Sequence, residues 1–429
     1  MFLEIKYFPC NGGLRVDLLF MHYDLIVVGG GAAGFFGAIQ AAEMKPEMRI
    51  LILEKSNKLL AKVKVSGGGR CNVTHHCFNP IRLSHHYPRG EKPLRNIFKN
   101  FHAENLVAWF KSKGVELKTE EDGRMFPASD NSQTVIDCFM EQALRHKIKI
   151  ELGAGVTGVA PGDNRFTVRC LNGTVYAGSK LLIAAGGNPN PQAYGWIADL
   201  DHNIKSPIPS LFTFNNSEKK FADLMGVSVA NAEVKIAGTK YSQQGPVLIT
   251  HWGLSGPAVI KLSAWAAEVL YEKKYEFTAL VSWVGPVKEE EFKLELAALR
   301  TTRGRQKIMS NPLFGLPQRL WMRLCELAEI GDQKIWTELP QKNLNKLMEA
   351  LIRCPFQIKG KTTFKEEFVT CGGVDLQEID FATMESKKVK GIYFAGEVLN
   401  IDGETGGFNF QAAWSGAYVA AKAITGKNE

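Results

Sequence analysis

Apolar and polar positions alternate along this chain in patterns that change three times. Asp24 to Val28 is an apolar run ending in glycines, Ala32 to Met44 carries small and apolar residues over helical length, and Arg49 to Leu53 is a second apolar run closing on Glu54. That order predicts strand, turn, helix and strand, the opening of a parallel doubly wound sheet. Helices are expected over about Ala103 to Lys113 and Ser132 to Lys147, with a hairpin through Asp122-Gly123 between them. Short runs at Val156 to Val159, Phe166 to Cys170 and Thr174 to Ala177 are separated by the turn signals Asp163-Asn164 and Asn172-Gly173, as in an antiparallel meander. Leu181 to Ala185 then reads as a buried strand.

From about Pro207 the texture becomes Pro- and Gly-punctuated alternation, followed from Lys288 by a charged helical stretch. Doubly wound character resumes after Lys365, with a strand at Ile392 to Ala395 and a small-residue helix over Phe408 to Ile424. The expected organisation is α/β: one Rossmann-like domain over 21–206 and 362–429, interrupted by an insert over 207–361. Within the insert, 207–287 is β-rich, 288–353 is helical and 354–361 is a return segment. Residues 1–20 mix Lys6, Arg15 and Asp17 with apolar positions and lack the unbroken apolar core of a signal peptide, so an over-long start before Met21 is expected.

Composition narrows the class. With 429 residues, 45% hydrophobic and 22% charged, the chain is long enough for two or three folded units and too apolar for disorder. No run approaches the ~20 apolar residues of a membrane-spanning helix. The 8 cysteines include no Cys-x-x-Cys pair, which points to reduced thiols and a cytoplasmic location. Lys plus Arg exceed Asp plus Glu by 52 to 44, a net +8 that favours a polyanionic partner without requiring one.

Gly29-Gly30-Gly31-Ala32-Ala33-Gly34 places G-x-G-x-x-G between the first predicted strand and helix. In that position Gly29 allows the turn, Gly31 lets backbone approach a pyrophosphate, and Gly34 lets helix and strand pack closely. Glu54 follows the last glycine by the spacing at which a carboxylate accepts both ribose hydroxyls, and it argues against a 2′-phosphate. Lys55 beside it and Val156 at the start of the meander complete this end of the candidate cofactor set. Ala185-Gly186-Gly187 and Gly396-Glu397 both follow predicted strands, a design that in two-dinucleotide-domain flavoproteins lines the bound dinucleotide. Gly407, Phe408 and Asn409 open the last helix, whose N-terminal N–H groups favour negative charge on a reduced flavin. These features together select FAD over a lone NAD site.

Ser66-Gly67-Gly68-Gly69-Arg70-Cys71-Asn72-Val73-Thr74, Thr250-His251-Trp252-Gly253-Leu254-Ser255-Gly256-Pro257, Thr383-Met384-Glu385-Ser386, and the stretch from Gly396-Glu397 to Gly407-Phe408-Asn409 jointly resemble the BaiN/RdsA-like bacterial FAD-dependent oxidoreductases. The resemblance covers about Tyr23 to Lys422. It implies an FAD-binding domain with a β-rich and helical insert, and NAD(P)H-driven reduction of an activated C=C bond. Its members act on steroid-like enones or on a uridine of large-subunit ribosomal RNA. The chain departs from the family at Asn400, where the pattern has Asp.

Gly69, Arg70, Cys71 and Asn72 suit a wall beside the flavin, with Arg70 and Asn72 as donors. Cys71, His75, His76 and Cys77 match no standard zinc spacing, so no metal is expected. A C=C reduction needs a proton as well as a hydride, and His251 is the first candidate acid, Cys371 the second. Nicotinamide is expected to visit transiently, since only one dinucleotide fingerprint is present. Arg300, Arg303, Arg305 and Lys307 form an acid-free cluster suited to tracking phosphates, and Arg82, Arg89, Lys92, Arg95 and Lys99, with the single acid Glu91 and with Tyr87 and Phe98 among them, form a second basic stretch of that kind. Three readings follow: an FAD-dependent uridine reductase acting on ribosomal RNA, a small-molecule enone reductase or amine oxidase, and a flavin-containing RNA-binding assembly factor without turnover.

Overall fold

A computed structural model describes residues 22–362 and 369–427, and the expectation for residues 1–20 lies outside them. Two compact units are present, one comprising the described residues up to 207 together with 369–427, the other 208–362. Each has its own hydrophobic core.

The first unit is built on a parallel sheet with the strand order Ile392–Phe394, Val175–Ile183, His22–Val28, Ile50–Leu53, Lys149–Glu151. Val28 stands opposite both Leu53 and Ile183, and Phe394 opposite Ile183. The central run Leu25, Ile26 and Val27 is fully buried, which is why it reads as continuously apolar and not alternating. From His22–Val28 the chain builds the sheet first in one direction and later in the other. The gap between the ends of His22–Val28 and Val175–Ile183 is therefore the topological switch point, where doubly wound sheets bind ligands. The helices Ala32–Met44 and Phe408–Thr425 pack on this sheet, and their small residues permit close approach: a Cβ on Gly37 would lie 2.5 Å from Leu182 and 3.5 Å from Ala417.

Two expectations about this unit change. Thr174 to Ala177 and Leu181 to Ala185 are not separate strands; Val175–Ile183 is one strand, pairing with the meander at its start and with the parallel sheet along its length. Tyr87 and Phe98, which looked like stacking surfaces among basic residues, are fully buried core.

In the second unit, Thr213–Asn216, Gly253–Ser255, Ser242–Ile249, Ser228–Ile236, Glu276–Ser282 and Cys354–Thr362 close a six-stranded barrel. The segment expected as a return is its closing strand, pairing with Glu276–Ser282 on one side and Thr213–Asn216 on the other. The helical stretch resolves into Glu289–Thr302, Gln318–Leu327 and Gln341–Ile352, packed around buried Trp283, Trp321 and Trp336. No helix among the described residues is long and apolar enough to cross a membrane.

Candidate active site

The switch point is lined by glycines in three different environments. A Cβ on Gly29 would sit 2.3 Å from the Ala184 carbonyl oxygen, and one on Gly34 would sit 1.9 Å from the Gly29 carbonyl oxygen, so both are required by backbone contact. Gly31 instead faces open space, with nothing within 4 Å of where its Cβ would be. It is the N-cap of Ala32–Met44, whose first turn holds no side-chain cap and no acid, so the leading N–H groups remain available to an anion.

Glu54 stands at the end of the second strand. Its carboxylate accepts the Gly30 N–H at 2.8 Å, the Ser56 N–H at 2.9 Å and the Ser56 hydroxyl at 2.8 Å. A carboxylate has about four acceptor positions, so one remains for a ribose hydroxyl. Lys55 is exposed, and Gly155, whose Cβ would meet that of Lys55 at 3.2 Å, brings it beside Val156.

Past the strand Val175–Ile183, Ala185 is exposed and Gly186 adopts a φ of +73° with open space around it. Gly187 is crowded by Thr370 and Glu397. Glu397 accepts the Thr370 N–H at 2.8 Å and pairs with Lys62 at 2.6 Å, while the Thr370 hydroxyl oxygen is buried without a hydrogen-bond partner among the described residues. Gly396 lies against Ala33, and a small cavity is bounded by Gly396, Glu397, Asn409 and Ala412.

The glycine loop behaves differently from a row of ligand donors. Helix Ala61–Gly69 breaks at Ser66, and Gly67, Gly68 and Gly69 all take left-handed conformations. Gly68 and Gly69 face open space. Arg70, expected to offer donors to a ligand, pairs with Glu120 at 2.6 Å and lies 4.0 Å over the Phe126 ring. Cys71 is fully buried, and burial pushes its thiol up to about 12. Asn72, with its amide oriented to suit its neighbours, donates to the Thr74 carbonyl and accepts the Gly407 N–H, both at 3.0 Å. It fixes the entry to the last helix. Asn409 does the same work on the other side, accepting the Gly403 N–H at 2.8 Å and donating to the Gly403 carbonyl at 3.0 Å.

Phe408 is buried at the start of that helix, and its carbonyl accepts the Tyr87 hydroxyl at 2.6 Å. Two imidazoles stack on its ring, His75 at 4.7 Å and His86 at 4.2 Å. His86, Glu404 and His75 were not among the expected catalytic residues, and no local sequence signal marks them, because His86 meets Glu404 only across 318 positions.

Of the two expected acids, Cys371 lies in the first unit on the strand Val369–Val374, buried to 2% exposure, and Asn400 accepts the N–H of its neighbour Gly372 at 3.0 Å. His251 belongs to the second unit, where it is exposed in the turn before Gly253–Ser255 and its ring meets Trp252 edge-on. The basic cluster divides. Arg300 donates to the Leu339 carbonyl at 2.6 Å and is half-buried, whereas Arg303, Arg305 and Lys307 are exposed and none has an ion pair among the described residues. In the other stretch Arg89 is committed to buried Asp402.

A family model described as the HI0933-like protein Rossmann domain matches residues 23–423. The chain belongs to the HI0933-like family. It is 30% identical over 409 residues to the ribosomal RNA dihydrouridine synthase of Escherichia coli (strain K12), covering 93% of this chain and 97% of that protein. It is also 27% identical over 410 residues to the 3-dehydro-bile acid delta(4,6)-reductase of Clostridium scindens, covering 92% and 98% respectively. Among solved structures, a 3-ketosteroid-delta4-(5alpha)-dehydrogenase from Rhodococcus jostii RHA1 shares the fold at a TM-score of 0.51 and 12% identity, over 95% of this chain and 97% of that one.

The first unit of this HI0933-like protein thus has the fold of a Rossmann-type FAD-binding domain. Its residues fit that group. Gly31, Gly68, Gly69 and Gly186 leave space where side chains would stand, the first helix offers uncapped N–H groups, and the Thr370 hydroxyl is a buried polar atom with no hydrogen-bond partner among the described residues.

Proposed function

We propose that this protein is an FAD-dependent oxidoreductase that takes reducing equivalents from NAD(P)H and reduces a uridine of large-subunit ribosomal RNA to dihydrouridine. The observation that carries the reading is the end-to-end likeness to a protein named ribosomal RNA dihydrouridine synthase, on a chain whose glycine-lined switch point suits a dinucleotide. FAD, when bound, supplies hydride chemistry that no side chain can. The leading N–H groups of Ala32–Met44 would hold its diphosphate and Glu54 its ribose; the N-terminus of Phe408–Thr425, set by Asn72 and Asn409, would stabilise negative charge on the ring. Exposed Arg303, Arg305 and Lys307 supply the phosphate contacts that an RNA substrate needs.

A second reading, reduction of a steroid-like enone, is favoured by the comparably full-length likeness to the bile acid reductase. One experiment separates the two. Protein loaded with FAD is reduced anaerobically with NADH or NADPH, then mixed with a large-subunit ribosomal RNA fragment or with a steroid enone. Flavin reoxidation by the RNA, with dihydrouridine recovered by mass spectrometry, is expected. Reoxidation by the enone alone transfers the assignment to the small-molecule reductase.

A further inference from the structure

Among the histidines of the first unit that sit beside carboxylates, His202 and His86 make the closest pairs, at 2.9 and 3.1 Å, and they differ in what they leave open. His202 is closed: its Nδ1 meets Glu378 at 2.9 Å, its Nε2 meets the Ser386 hydroxyl at 2.9 Å, and its side chain is fully buried. The arrangement has the outline of a hydrolase triad, but the Ser386 oxygen already accepts the N–H groups of Lys388 and Val389 and is itself buried, so it has a structural role.

His86 is open. Its Nδ1 faces Glu404 at 3.1 Å, its ring lies nearly parallel to Phe408, and a third of its side chain remains exposed, whereas Glu404 is 8% exposed. The Glu404 N–H donates to the His86 carbonyl at 2.9 Å, so the two residues are joined through backbone and side chain alike. Cys77 lies close enough to favour the protonated ring. The other charged or titratable groups nearby are His75, 6.0 Å away; His85, itself near Glu91; and Arg89, paired with Asp402. Burial opposes protonation of His86, yet Cys77 and Glu404 outweigh it and raise the imidazole to about 9. A part-exposed imidazole with a raised pKa is therefore stacked on Phe408, the residue that opens the last helix.

We propose that His86 is the proton donor of the C=C reduction, with Glu404 as the residue that positions its ring; this rests on the reductase reading above. The carbon conjugated to the carbonyl through the double bond receives hydride from reduced flavin, which is thereby oxidised. Its neighbour receives the proton from Nε2 of His86. The C=C π bond is replaced by two C–H bonds, the imidazole is left neutral, and it regains a proton from solvent. A positioned general acid contributes about 10²- to 10⁴-fold.

The test uses FAD-loaded protein and the same ribosomal RNA fragment. In His86→Gln, anaerobic flavin reduction by the nicotinamide should proceed as in wild type, while reoxidation by RNA should slow by about 100-fold or more. In wild type the alkaline limb of the reoxidation rate is expected near pH 9, and in Glu404→Gln it should move down by about one unit or more. The His86 imidazole signal in NMR titrations of flavin-free protein should move with it. Unchanged reoxidation in His86→Gln overturns the proposal, as does loss of that step in His251→Asn but not in His86→Gln. If His86→Gln fails to retain FAD, an unchanged alkaline limb and an unchanged NMR titration in Glu404→Gln overturn it. A wild type whose reduced flavin is reoxidised by neither RNA nor enone removes the reductase reading itself, and the proposal with it.

Discussion

Gly31 and Gly34 are three positions apart, and replacing either by alanine should give opposite results. At Gly34 the new methyl group would meet the Gly29 carbonyl, so Gly34→Ala should cost about 3 kcal/mol or more in chemical denaturation. At Gly31 the methyl enters open space, and φ is an ordinary −97°; the flavin-free protein should keep its stability while FAD affinity, measured by titration, falls tenfold or more, about 1.4 kcal/mol. His86 gives a pH-dependent prediction. Its folded pKa is raised, so its contribution to stability is fully present below the unfolded value of 6.5 and is lost as pH rises through about 9. The melting temperature of flavin-free wild type should therefore fall across that window more steeply than that of Glu404→Gln. The sequence shows which residues carry donors but not where they are spent. Arg70 and Asn72 both read as ligand contacts, yet Arg70 finds Glu120 and Asn72 finds Gly407, partners that no local pattern can pair with them.

Elements whose contacts are local or periodic were legible: the opening strand, helix and strand, the hairpin about Gly123, and the last helix all announce themselves by apolar period and glycine punctuation. What depends on distant partners was not. Val175–Ile183 was split because its first half is a half-exposed meander strand and its second half a buried parallel one, so a single strand carries two patterns. Cys354–Thr362 closes the barrel with strands that begin 141 and 78 residues before it. The loop before the last helix is likewise held by long-range pairs, foremost Arg89 with Asp402, whose carboxylate is fully buried. Arg89→Ala takes the guanidinium away from that buried carboxylate and should destabilise the protein by about 3–5 kcal/mol, whereas the exposed Arg82→Ala, read in the same denaturation experiment, should be near neutral.

At the scale of the whole molecule, charge separates from chemistry. Neutralising Arg303, Arg305 and Lys307 together should flatten the slope of log affinity against log salt on the ribosomal RNA fragment by about 0.7 per lost contact. FAD content and nicotinamide-driven reduction should stay unchanged. Arg300→Gln belongs to another class, because it removes the donor to the Leu339 carbonyl and should lower stability without changing the salt slope. Equal slopes for wild type and the triple variant would remove RNA binding from this cluster. Within the first unit, the chain departs for the barrel past Lys205, Ser206 and Pro207 and comes back through Gly372, where a Cβ would lie 2.5 Å from the Ser206 carbonyl oxygen and 2.9 Å from both the Lys205 carbonyl oxygen and the Pro207 Cα. Departure and return are thus neighbours on one rim, held also by the Asp375 N–H on the Asn203 carbonyl. A chain that closed this gap with a short turn would still complete the parallel sheet of the first unit, so the barrel stands as a cassette inserted where its removal asks least of that sheet.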